Sequence, residues 1–179
     1  MNKSVLIIST SPRKDGNSDT LAEEFARGAR ETGNQVEKIV LYDKTIGFCK
    51  GCLACQKSLR CVIHDEADTI AQKMLTADVI VFATPIYYYE MCGQMKTMLD
   101  WANPLYPADY AFRDIYLLAA AADADKSAMD GAIKGLEGWI ACFEKARLAG
   151  TVFGGGADAI GTIQGNPALD EAYEMGKRV

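Results

Sequence analysis

The feature that most constrains this chain is the alternation of short apolar runs with amphipathic stretches. Ser4–Ser9 (SVLIIS) and Ala77–Thr84 (ADVIVFAT) are β-branched apolar runs without polar alternation, as strands are when both faces are buried. Between them Ser18–Thr32 places Leu21, Phe25 and Ala29 on one helical stripe, and Gln35–Leu41 (QVEKIVL) reads as a second strand. Glu66–Leu75, Met91–Trp101, Ser127–Arg147 and Pro167–Lys177 read as helices, while Ile115–Ala122 and Gly150–Phe153 supply a fourth and a fifth strand. Pro85 is expected to stop the third strand. Strands alternating with helices give βαβ units, so the expected fold is α/β: a doubly wound, five-stranded parallel sheet with helices on both faces.

Composition agrees. A chain of 179 residues, 49% hydrophobic and 24% charged, suits one domain over residues 1–179, with a cysteine-rich loop at 45–64. The net charge is −5 and there is no long basic run, which argues against nucleic acid and membrane surfaces as partners. The single histidine, His64, excludes Ser-His-Asp hydrolysis and multi-histidine metal sites. The apolar run near the N-terminus is too short for a signal peptide, so a cytoplasmic location is expected, where thiols stay reduced. Six cysteines then need a reason other than disulfides.

In a doubly wound sheet, ligands bind beyond the carboxyl ends of the strands, where the strand order switches. The loop after the first strand, Ser9 to Ser18, lacks both the dinucleotide GxGxxG and the nucleoside-triphosphate GxxxxGK[ST]. It instead offers hydroxyls, an amide and a helix N-terminus, the donors that wrap one terminal phosphate; an ordinary capped turn is the alternative. The loop after the third strand runs Thr84-Pro85-Ile86-Tyr87-Tyr88-Tyr89, and its aromatic faces suit a flat ring or simple packing.

Together, Ser9-x-Ser11-x-Arg13-x-x-x-Asn17-Ser18 and Thr84-Pro85-Ile86-Tyr87, followed by Gly93-Gln94-Met95-Lys96 and Asp100, resemble the flavodoxin-like NAD(P)H-dependent FMN reductase family. The resemblance covers essentially the whole chain and implies the strand order 2-1-3-4-5. It implies Ser9, Ser11, Arg13, Asn17 and Ser18 for the FMN phosphate, and Pro85, Ile86, Tyr87 and Tyr88 for the isoalloxazine ring. It also implies a homodimer or homotetramer. Trp101 stands where relatives often carry arginine.

Cys49-x-x-Cys52-x-x-Cys55-x-x-x-x-x-Cys61 is the sharpest local signal. Four thiolates so close suit a [4Fe-4S] cluster; a structural zinc, or free thiols with one redox-active CxxC pair, are the alternatives. The resemblance extends here, because iron–sulfur flavoproteins of the same superfamily carry a compact four-cysteine motif at this place. The loop leaves the second strand at its carboxyl end, the edge expected for the flavin. Cys92 and Cys142 read as packing residues.

The expected activity is electron transfer from NAD(P)H through FMN to a small-molecule or protein acceptor such as free flavin or a quinone. No catalytic side chain is called for, because the flavin carries the chemistry. One alternative is an iron–sulfur flavoprotein electron carrier fed by a ferredoxin-like donor. The other is a non-redox domain that binds a phosphate ligand.

Overall fold

The computed structural model describes residues 2–179. The elements follow in the order β1 (Ser4–Ser9), α1 (Asn17–Glu31), β2 (Gln35–Val40), α2 (Cys55–Ser58), α3 (Glu66–Thr76), β3 (Val79–Tyr87), β4 (Glu90–Met91), α4 (Gly93–Asp100), β5 (Asp114–Ala120), α5 (Asp130–Ile140), β6 (Arg147–Gly154) and α6 (Ala168–Lys177). The strands run parallel in the order β2-β1-β3-β5-β6, except that β4 pairs antiparallel with the end of β3. The sheet therefore has six strands, not the five expected, and its order in chain numbering is 2-1-3-5-6.

The extra strand comes from a hairpin hidden in the tyrosine run. Tyr88 and Tyr89 both take left-handed backbone, with φ of 51° and 64°. That is the two-residue turn whose twist matches a hairpin, normally built from Asn-Gly. No such dipeptide is present, so Glu90 reads as loop and Met91 as the start of a helix instead. Pro85 does not end β3 either. The Ala83 carbonyl faces β1, where it accepts from the Thr10 N–H at 2.8 Å. Pro85, two residues on, faces the same way, but β1 has already ended at Ser9 opposite Ala83, so its missing N–H breaks no ladder bond. The long helix expected over 127–147 is shorter: Lys126–Met129 forms a 3-10 turn, α5 ends at Ile140, and β6 begins at Arg147.

Alternate residues of the central strands feed two cores, as the two-residue period requires. Val5, Ile7, Val79 and Val81 meet Leu21, Phe25 and Ala29 of α1 and Ala172 of α6 on one face. Leu6, Ile8, Ile80 and Phe82 meet Ile70 and Met74 of α3, Met95 and Met98 of α4 and Leu136 of α5 on the other. Helices α1 and α6 touch backbone to backbone. A Cβ on Gly28 would fall 2.1 Å from the Tyr173 carbonyl oxygen, and one on Gly176 would fall 2.1 Å from that of Phe25. Asp19, in the first turn of α1, is neutralised by Lys38 of β2 at 2.9 Å. Burial opposes the Lys38 ammonium, but its hydrogen bonds to Glu23 and Asp19 outweigh that and raise its pKa above the ordinary 10.5.

Candidate functional site

The order 2-1-3-5-6 reverses between β1 and β3, and a cavity of about 230 Å³ opens at the carboxyl ends of these two strands. Ser11, Arg13, Gly16, Asn17 and Ser18 line one side, and Pro85, Ile86 and Tyr87 line another. Ala120–Ala122, at the end of β5, and Ala157-Asp158, after β6, complete it; both lie at or beyond strand ends, where a doubly wound sheet is expected to border a ligand, although the alanines themselves carry no chemical signature. Ser9 is buried at the end of β1, and Tyr88 stands fully exposed at the hairpin tip; neither borders the cavity.

The first loop is shaped by its own side chains. The Ser11 hydroxyl donates to the Arg13 carbonyl and accepts from the Arg13 N–H, both at 3.1 Å. A Cβ on Gly16 would lie 2.6 Å from Ser11 Oγ, so the tight approach calls for glycine. Gly16 is the N-cap of α1 and offers no side chain to its first-turn amides. Those amides have no intrahelical partners and stay available to an anion. Ser18 sits in the same turn. It is 1% exposed, and its Oγ finds no hydrogen-bond partner among the described residues. A buried hydroxyl without a partner is costly, and a ligand oxygen would satisfy it. This orphaned group beside an uncapped helix start is what fits a bound phosphate.

Asn17 is engaged elsewhere. Its Nδ2 donates to the Ala157 and Ala159 carbonyls at 3.1 and 2.8 Å, and its Oδ1 accepts from the Gly161 N–H at 3.0 Å. It braces the loop over residues 157–163 against α1. Arg13 adds to the brace, donating from Nη1 to the Asp158 carbonyl at 3.0 Å across the cavity rim. At the opposite rim the strained hairpin is held from below. Gly131 approaches so closely that a Cβ there would lie 2.3 Å from the Tyr89 carbonyl oxygen, and the Tyr89 hydroxyl lies 3.2 Å from Asp123 Oδ2.

The cysteine loop starts at the carboxyl edge but does not stay there. Trp101 Nε1 donates to the Gly47 carbonyl at 2.8 Å, and Asn103 Nδ2 lies 3.8 Å from Cys49 Sγ. Cys49 thus lies just past the C-terminal end of α4, whereas Cys92, at the N-terminal end of that helix, touches Thr10 of the first loop. An eight-residue helix is about 12 Å long, so Cys49 is set back from the cavity rather than beside it. Three residues of the loop, Gly51, Leu53 and Leu59, take positive φ, which curls it around the thiols. Burial pushes the Cys55 thiol up, and the neighbouring Cys61 pushes it further; a backbone hydrogen bond opposes them, and Cys49 and Cys52 add smaller upward pushes. The Gly51 and Ile63 amides donate to the Cys49 and Cys61 sulfurs, both at 3.4 Å. The four thiols are neighbours of the right chemistry for iron, yet among the described residues no three metal-ligating side chains converge on a common point. A hollow of about 550 Å³ adjoins Cys49 and is lined by Tyr106, Trp139 and Phe143, but no orphaned buried polar atom marks it.

The doubly wound sheet and the cavity at its switch point define a flavodoxin-like α/β protein. The chain belongs to the NADPH-dependent FMN reductase family, whose model matches residues 4–156. Among curated proteins it is 38% identical over 101 residues to an iron–sulfur flavoprotein of Methanocaldococcus jannaschii, covering 56% of this chain and 52% of that one. It therefore spans about half the length of that relative. It is 27% identical over 169 residues to an iron–sulfur flavoprotein of Methanosarcina thermophila, covering 94% of this chain and 85% of that one. Among solved structures, the NAD(P)H:quinone oxidoreductase from Methanothermobacter marburgensis superposes with a TM-score of 0.77 at 15% identity, covering 99% of this chain and 96% of the other. That likeness shows the fold. No helix among the described residues is long and apolar enough to cross a membrane.

Proposed function

We propose that the protein is an FMN-dependent oxidoreductase that takes electrons from NAD(P)H and passes them to a small-molecule or protein acceptor, with free flavin and quinones as the candidate classes. The observation that carries this is the orphaned Ser18 hydroxyl beside the uncapped start of α1, in a cavity whose other wall is Pro85-Ile86-Tyr87. FMN, when bound, supplies the redox chemistry. The chain supplies the rest. Ser11 sets the loop that, with Ser18 and the first-turn amides, receives the phosphate; Asn17 and Arg13 hold the rim formed by residues 157–163; Pro85, Ile86 and Tyr87 form the wall for the ring. A cavity of about 230 Å³ is below the usual volume of a cofactor site, so it suits the phosphate end, with the ring at the open mouth beside Tyr87. A cytoplasmic location and a homodimer or homotetramer belong to the same reading.

The test is uptake by purified protein of FMN against riboflavin, followed by anaerobic reduction with NADH and NADPH. FMN bound at least tenfold more tightly than riboflavin, and reduced by a nicotinamide, is the expected result. Equal affinity for the two flavins removes the phosphate assignment; no uptake of either removes the flavin reading.

A second reading, an iron–sulfur flavoprotein electron carrier, is favoured by the character of the cysteine loop. Between residues 44 and 64 it carries Lys44, Lys50, Lys57 and Arg60 and no carboxylate, though Lys44 pairs with Asp43 and Glu66 and Arg60 with Asp68. Phe48, Leu53, Leu59 and Val62 are all exposed on it. An apolar-studded loop around four thiols, with Lys50 and Lys57 in no ion pair among the described residues, suits docking of an acidic, ferredoxin-like donor protein. Cys49, Cys52, Cys55 and Cys61 would be the ligands of a [4Fe-4S] cluster, and cluster assembly would draw the four sulfurs together. Iron and sulfide assays on anaerobically purified protein decide it: about four of each per chain, lost in Cys52→Ser, supports the carrier, and a metal-free flavoprotein rejects it.

A further inference from the structure

Beneath the cavity, and outside its lining, lies a buried polar cluster formed by Thr10, Thr84 and Cys92. Cys92 is 1% exposed, and its thiol donates to the Thr10 carbonyl at 3.2 Å. The same sulfur lies 3.3 Å from Thr10 Oγ1 and 3.4 Å from Thr84 Oγ1. The Cys92 N–H donates to Thr84 Oγ1 at 3.1 Å. The outer bonds run to the main chain. Thr10 Oγ1 donates to the Ala83 carbonyl at 2.9 Å, and the Thr84 hydroxyl reaches the Pro85 carbonyl at 2.9 Å. A side chain that the sequence marks as packing is thus the hub of a polar network.

The cluster joins three elements: the phosphate-side loop at Thr10, the ring-side strand end at Thr84-Pro85, and the N-cap of α4 at Cys92. We infer that Cys92 is a positioning residue that locks the first loop to the end of β3, fixing the spacing between the two walls of the cavity. A thiol suits the place because it bridges partners more than 3 Å away in two directions with one atom. Alanine would leave the Thr10 carbonyl without the thiol that donates to it and open a void beside the hydroxyls of Thr10 and Thr84, and buried polar networks lose most when partly satisfied. Serine keeps a donor and acceptor at slightly shorter reach.

The inference stands apart from the flavin reading in one arm of its test and rests on that reading in the other. Amide exchange in the flavin-free protein is measured over residues 9–13 and 84–88 for wild type, Cys92→Ala, Cys92→Ser and Thr84→Val. Cys92→Ala and Thr84→Val are expected to speed exchange in both segments together by about tenfold, roughly the worth of one buried hydrogen bond, with Cys92→Ser restoring most of the protection. Thr84→Val covers the case in which Cys92→Ala fails to fold, since it breaks the network from the other side. In the second arm, FMN affinity of Cys92→Ala is expected to fall about tenfold, with Cys92→Ser within about threefold of wild type. Loosening of one segment alone, or a lower melting temperature with unchanged exchange and affinity, overturns the positioning role. A wild-type protein that takes up no FMN rejects the flavin reading, and the exchange arm still decides the role of Cys92.

Discussion

Ser18→Ala should change stability and ligand affinity in opposite directions. The Ser18 Oγ is buried without a hydrogen-bond partner, in the first turn of a helix that begins without a side-chain cap. In the ligand-free protein that hydroxyl costs about 1–3 kcal/mol relative to water. Alanine removes the cost and adds about 0.5 kcal/mol of helix propensity. A net gain of about 2 kcal/mol in a chain of this size raises Tm by roughly 4–8 °C. If the hydroxyl serves a phosphate, alanine also deletes a hydrogen bond to a charged group, worth about 1.5–3 kcal/mol, so FMN should bind about 10–100-fold more weakly. The two readouts are scanning calorimetry of flavin-free protein and quenching of FMN fluorescence. A variant that is no more stable, with unchanged affinity, shows that the hydroxyl is satisfied in solution by something other than the ligand. A loss of stability with normal affinity shows that it serves packing. Either outcome refutes the reasoning.

Three further expectations concern other parts of the molecule. Gly28→Ala places a Cβ against the Tyr173 carbonyl, where neither backbone can yield, and should cost about 2 kcal/mol or more despite the better helix former, seen as a lower Tm; a neutral result means α1 and α6 do not meet there. Tyr88→Asn should raise stability by about 1 kcal/mol in urea unfolding, because asparagine tolerates the left-handed backbone and the fully exposed tyrosine loses no contact; a decrease means that Tyr88 packs against something in solution. The Lys38 pKa is raised on folding by Glu23 and Asp19 against the penalty of burial, so its contribution is complete below the ordinary 10.5 and fades as pH climbs through the higher folded value. Lys38→Met should accordingly be least stable relative to wild type near pH 8, with the gap narrowing above pH 10.5; a constant gap assigns the loss to packing.

The sequence made the fold legible wherever burial is complete. The runs at β1 and β3 and the Leu21-Phe25-Ala29 stripe announce themselves because nearly all of their side chains are buried, Ser4 and Asp78 at the strand starts excepted. What escaped depends on backbone geometry or on distant partners. The hairpin at Tyr88-Tyr89 uses a turn that those residues rarely adopt, held by Gly131 and Asp123 from far along the chain. The continuation of β3 past Pro85 follows from where β1 happens to stop. In the cavity, the residue types of the first loop were readable and their directions were not. Asn17 looks like a phosphate ligand in the motif, yet its amide is consumed by residues 157–163. The cysteine spacing shows four neighbouring thiols, but the path that carries them toward the far end of α4 is set by Trp101 and Asn103.

The Asn17 brace also sets a timetable. Its partners lie more than 139 residues downstream, beyond the stretch 4–156 that the family model matches. On the ribosome, β1 and α1 emerge early, but the rim that Asn17 and Arg13 hold cannot form until residues 157–163 have been made. Until then the start of α1 presents uncapped amides and an unpaired hydroxyl to any passing anion. If these residues hold a cofactor phosphate, its final grip forms late, as one of the closing events of folding rather than as a nucleus around which the domain folds.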